Sequence, residues 1–89
     1  MNKSTRQAAI EELNAYVRPS SNGYEVMIAL HYHTHTHYTW DAIRYPLDNP
    51  SIPSETLAEF NPPHTWEDAA MWARDYLARN PEDGFIATY

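Results

Sequence analysis

Eighty-nine residues, 43% of them hydrophobic and 20% charged, suffice for one domain with one core, residues 1–89, and exclude a chain that is disordered throughout. A formal net charge of -6 leaves no Lys/Arg stripe for phosphate backbones, so direct nucleic-acid binding is not expected, whereas a protein partner with a basic surface is. Without cysteine there is neither a disulfide nor a thiolate zinc site, and no apolar run has the length of a signal-peptide core or a membrane span, which predicts a cytoplasmic protein.

Ser4 followed by Gln7 fits a capping box, and Ala9, Ile10, Leu13, Tyr16 and Val17 then recur at helical spacing up to Arg18-Pro19. Ser20-Ser21-Asn22-Gly23 is turn chemistry. After it, Tyr24, Val26, Ile28, Leu30 and Tyr32 alternate with Glu25, Met27, Ala29, His31 and His33, the pattern of a strand with one buried face. No Gly, Pro, Asn or Asp interrupts Tyr24–Trp40, so the turn has no signature of its own. A straight strand of this length would outrun a small domain, and the chain is expected to reverse within Thr34 to His37, pairing Tyr24–His33 with Tyr38–Leu47. A four-residue loop sets Ile28 opposite Ile43, and a five-residue loop sets Leu30 opposite Trp40.

Pro46, Pro50 and Pro53 punctuate a connector, Ser54 to Phe60 reads as a short helix, and Asn61-Pro62-Pro63 ends it. Thr65, with Asp68 as capping partner, opens a second strong helix whose apolar stripe is Trp66, Ala69, Ala70, Ala73, Tyr76 and Leu77, stopped by Asn80-Pro81. Gly84 leads into a terminal strand, Phe85 to Tyr89, placed at an edge or beside the first strand. The expected architecture is α+β: a small, mainly antiparallel sheet of about three strands with two main helices on one face, in the order α-β-β-(short α)-α-β.

Residues 31 to 37 read His-Tyr-His-Thr-His-Thr-His, so His31, His33, His35 and His37 fall at alternate positions. Histidines two apart on a strand can direct two imidazoles at one zinc ion, with Asp41 or Glu25 supplying an oxygen. The plainer account is neutral polar filler on an exposed sheet face. His37-Tyr38-Thr39 resembles the His-x-Thr element of the two-histidine phosphoesterases, but those enzymes carry the element twice and this chain carries it once, so the resemblance is set aside.

Twelve aromatic residues are more than so small a core can hide. Tyr38, Trp40 and Tyr45 on the second strand, with Trp66 and Trp72 on the second helix, are the candidates for an exposed patch, and Glu67 and Asp68 for its acidic rim. The leading expectation is a non-enzymatic, cofactor-free interaction module that binds a protein partner and forms a homodimer. Size and acidity are analogous to those of phage and mobile-element inhibitors of host defence machinery, anti-CRISPR proteins among them. The alternative is a metal-binding protein using the histidine cluster.

Overall fold

The structure, a computed structural model, describes residues 5–87. The expected Ser4 cap and the last two residues of the expected terminal strand lie outside the described residues. Helix α1 (Thr5–Ala15) is followed by strands β1 (Tyr24–Tyr32), β2 (Tyr38–Pro46) and β3 (Glu55–Phe60), helix α2 (Thr65–Arg79) and strand β4 (Gly84–Ile86). The sheet runs β3-β2-β1-β4, with β1 antiparallel to β2, β2 antiparallel to β3, and β4 parallel to β1. The α+β class and the two main helices hold, and the sheet is a four-stranded mixed one.

The added strand is β3, where a short helix was expected. Leu57, Ala58 and Phe60 suit either form. Pairing decides: β2 offers Trp40, Asp41 and Ala42 opposite Phe60, Glu59 and Ala58, and a bulge at Ala42/Ile43 absorbs one extra residue of β3. A neighbour that satisfies the backbone outweighs the weak helix preference of a six-residue segment.

Cross-strand partners project to the same side of a sheet. Val26 pairs with Phe85 and Ile28 with Ala42, and all four are buried with Leu13 of α1 and Ala69, Ala73 and Leu77 of α2, so both helices pack on one face. The opposite face carries Glu25, Met27, Ala29 and His31 of β1 with Thr39, Asp41, Ile43 and Tyr45 of β2. On α1, Ala9 and Leu13 are buried, but the helix ends at Ala15 and leaves Val17 exposed. The capping box expected at Thr65 does not form: His64 is the N-cap residue of α2, no side chain caps the helix, and the His64 carbonyl accepts from the Asp68 N–H.

The proximal end of the core face is closed by a buried polar node. Asp83 accepts hydrogen bonds from Asn22 Nδ2 (2.6 Å), Arg44 Nε (2.9 Å) and the Tyr76 hydroxyl (2.6 Å). Burial pushes the Asp83 carboxyl up, but the bonds from Arg44, Tyr76 and Asn22 outweigh it and hold the group below its ordinary value. Arg44 also lies 3.8 Å over the Tyr24 ring. Beside the node, Arg18 donates to the carbonyls of Leu77, Asn80 and Asp83, which caps the C-terminal end of α2, while its backbone pairs with Phe85.

Candidate functional site

Two nine-residue strands at ~3.3 Å per residue form a hairpin about 30 Å long. The chain reverses through residues 33–37, with the His33 N–H donating to the His37 carbonyl (2.9 Å). This is the five-residue loop, with Leu30 opposite Trp40 and Tyr32 opposite Tyr38. The flanking strands support only part of this length, since β4 pairs with Glu25–Met27 and β3 with Trp40–Arg44. The distal end of the hairpin therefore extends past the rest of the sheet as a two-stranded arm.

Period-two alternation gives this arm two unlike faces. On the helix side, the alternate set expected to be buried divides in two: Val26 and Ile28 are fully buried, whereas Leu30 is 40% and Tyr32 63% exposed because no helix reaches them. Opposite stand Tyr38, 41% exposed, and Trp40, whose ring lies 4.9 Å from that of Trp66 at the start of α2. Together with Arg6, Pro62, Pro63 and Thr65, these side chains enclose an open cleft of about 520 Å³, within the range of ligand and peptide pockets.

The cleft unites three of the candidate partner-binding residues, Tyr38, Trp40 and Trp66, and leaves the others elsewhere. Tyr45 lies on the opposite sheet face, where its hydroxyl donates to Glu25; burial and that carboxylate push the phenol up to about 12. Trp72 stacks on Tyr76 at 4.9 Å and meets Phe60 edge-on, so its ring is used inside the fold. Glu67 faces a groove between the two helices rather than the cleft, and Asp68 is exposed in the same turn as Thr65. The charge lining the cleft is the cation Arg6, where an acidic rim was expected. Leu30, Tyr32 and Arg6 were not foreseen as site residues. The available signal was length: a 15-residue helix spans about 22 Å and cannot cover a 30 Å hairpin.

The other face of the arm holds a polar network. The Thr39 hydroxyl donates to Asp41 Oδ1 (2.6 Å), His31 Nδ1 lies 2.8 Å from Asp41 Oδ2, and His33 Nε2 lies 3.0 Å from Thr39 Oγ1. Asp41 and Thr39 are almost fully covered, at 1% and 2% exposure, although no helix lies over this face. Each imidazole leans diagonally over the strand pair, His31 onto the residue two beyond its partner Thr39 and His33 onto Thr39 itself. The His31 and His33 rings stack at 4.4 Å with 30° between planes, and the His37 ring lies 5.0 Å from that of His33. His35 sits at the exposed loop, and among the described residues no three His, Asp or Glu side chains form a group that could hold a metal ion. The expected four-histidine set is thus not gathered as metal ligands; His31, His33 and His37 lie in ring contact, and His35 stands apart from them.

Comparison with protein-family profiles, with curated proteins and with solved structures finds no match to this chain. Among the described residues, no helix is long and apolar enough to cross a membrane.

Proposed function

We propose that the protein is a non-enzymatic interaction module that seats an extended segment of a protein partner in the cleft between the hairpin arm and the start of α2. The observation that carries this reading is the contiguous exposure of Leu30, Tyr32 and Tyr38 beside Trp40 and Trp66. Large apolar side chains cost free energy when left in water, at roughly 25 cal/mol per Å² that a partner would cover. Aromatic walls flanked by prolines suit an extended chain, whose side chains enter between rings while its backbone stays solvated. Arg6 favours a carboxylate on the bound segment. The net charge of -6 adds long-range attraction for a basic partner. Inhibition of host defence machinery is the setting that size and acidity suggest for such a module.

The test is site-specific photocrosslinking in the native host, with the reactive group at position 38 and, as a control, at position 86 on the far edge strand. A partner crosslinked at 38, and lost when Tyr32→Ser and Arg6→Gln are introduced without a change in melting temperature, is the expected result. Native mass spectrometry of the purified chain gives the competing outcome: a dimer abolished by Tyr32→Ser would assign the cleft to a second copy and overturn the reading.

A further inference from the structure

We infer that the segment seated in the cleft is a polyproline II stretch carrying an acidic side chain, an assignment that rests on the cleft being the docking site. The cleft lies on a face of the sheet, and the backbone hydrogen bonds of a sheet run in its plane. Both ends of the hairpin fix which way these groups turn: the Leu47 N–H donates to the Gly23 carbonyl, and the His33 N–H to the His37 carbonyl. The odd-numbered residues of β1 therefore turn their backbone groups towards β2, while Leu30 and Tyr32 turn theirs to the outer edge of the strand. Neither direction points into the cleft. An occupant on this face meets side chains alone and gains no ladder bonds from a β conformation. Polyproline II makes no internal hydrogen bonds and keeps its backbone in water, so it gives up nothing there.

The polar groups of the lining match an acceptor-only ligand. Arg6 and the Trp40 indole are donors only, the hydroxyls of Tyr32, Tyr38 and Thr65 can donate, and among the described residues no carboxylate lines the cleft. A run of prolines offers carbonyls and no N–H. Shape agrees with this. Tyr32 and Tyr38 form one cross-strand rung, with ring centroids 6.0 Å apart, and Leu30 and Trp40 form the next. Two residues along a strand separate the rungs by about 6.6 Å. That is nearly twice the carbon–carbon contact distance of ~3.5–4.0 Å, so a compact pyrrolidine ring fits between them. Proline is already fixed in φ, and little conformational entropy is lost when it docks. Arg6 supplies the charge: in a cleft lined by no acid, it selects a segment with Asp or Glu beside the prolines.

The experiment is NMR titration of the full chain with the synthetic peptide Pro-Pro-Pro-Glu-Pro-Pro-Pro and three relatives: alanine for every proline, lysine for the glutamate, and the strand-forming Thr-Val-Thr-Glu-Val-Thr-Val. The acidic proline peptide should shift the Trp40 indole N–H and the Tyr32 and Tyr38 rings. The alanine and strand-forming peptides should bind at least about fivefold more weakly. Tyr32→Ser and Tyr38→Ser, both at exposed rings, should each weaken the proline peptide about fivefold or more with the melting temperature unchanged. Lysine for glutamate should cost about two- to fivefold, and Arg6→Gln should erase that difference. No binding of the proline peptide, equal binding of any of its three relatives, or indifference to both tyrosine variants would overturn the inference. The docking reading fails separately. A partner crosslinked at position 38 through a proline-free segment keeps the cleft as a docking site and overturns only the proline assignment, whereas no crosslinked partner and no bound peptide overturn both.

Discussion

Replacing Asp83 by Ala removes the acceptor for three donors at once and strands Arg44 at the edge of the core. The charge-assisted pair with Arg44 is worth about 1.5–3 kcal/mol, and we take the lower end because the Arg44 side chain keeps 26% of its surface in water. The bonds from Tyr76 and Asn22 add about 1 kcal/mol each, giving a loss of about 3.5 kcal/mol. A domain of 89 residues holds roughly 4–13 kcal/mol in all, so the variant should lie close to the limit of folding, with a melting temperature lower by about 20 °C. Equilibrium urea unfolding measures it directly. A loss below about 1 kcal/mol at unchanged denaturant slope would refute the view that this node closes the fold. The pH dependence has a defined sign: because the folded carboxyl is held below its ordinary value, its contribution is present above the usual carboxylate range and is lost as the pH falls through the lower folded value. Asp83→Asn should flatten that acid limb.

Gly84→Ala should cost about 1–3 kcal/mol, read by thermal unfolding, because the added Cβ would meet the Ser20 backbone nitrogen at 2.7 Å and backbone cannot move aside as a flexible side chain can; an unchanged melting temperature would show that the β4–Ser20 approach is looser than described. In alkaline ultraviolet titration, Tyr45 and Tyr76 should ionise near 12 rather than 10, each pushed up first by burial and then by its carboxylate partner. Their contribution to stability is present below pH 10 and lost as the pH rises towards 12, and Glu25→Gln should bring Tyr45 alone down; a single transition of all phenols near 10 would contradict both environments.

Much of the fold was legible because it is written in local patterns. The α2 stripe of Trp66, Ala69, Ala70, Ala73 and Leu77 is buried as its spacing requires, and the Gly23 turn, with φ of 82°, sits where dense turn chemistry placed it. What could not be read depended on partners distant in sequence. Residues 55–60 form a strand because β2 is beside them, and Tyr32 is exposed because the helices stop short of it, a fact about relative lengths rather than about Tyr32. The site divides in the same way. Alternation put His31 and His33 on one face, but the leaning of their rings onto Asp41 and Thr39 is a diagonal contact that sequence spacing does not encode. Tyr38, Trp40 and Trp66 were singled out for their aromatic type and line one cleft; Trp72 and Tyr45 share that type and are occupied internally.

The position of β4 bears on the order in which the molecule assembles. β1 and β2 meet through a five-residue loop and can zip early, but Val26 acquires its other neighbour, Phe85, only after a loop of ~60 residues has closed. The residues that arrive with that closure are Phe85, at the centre of the core, and Asp83, which discharges the polar node. The parallel pairing thus comes late, and contacts formed after the rate-limiting barrier govern unfolding more than folding. Substitutions at Asp83 and Gly84 should accordingly shorten the lifetime of the native state while leaving the refolding rate nearly unchanged, whereas substitutions at Ile28 and Ala42 should slow refolding.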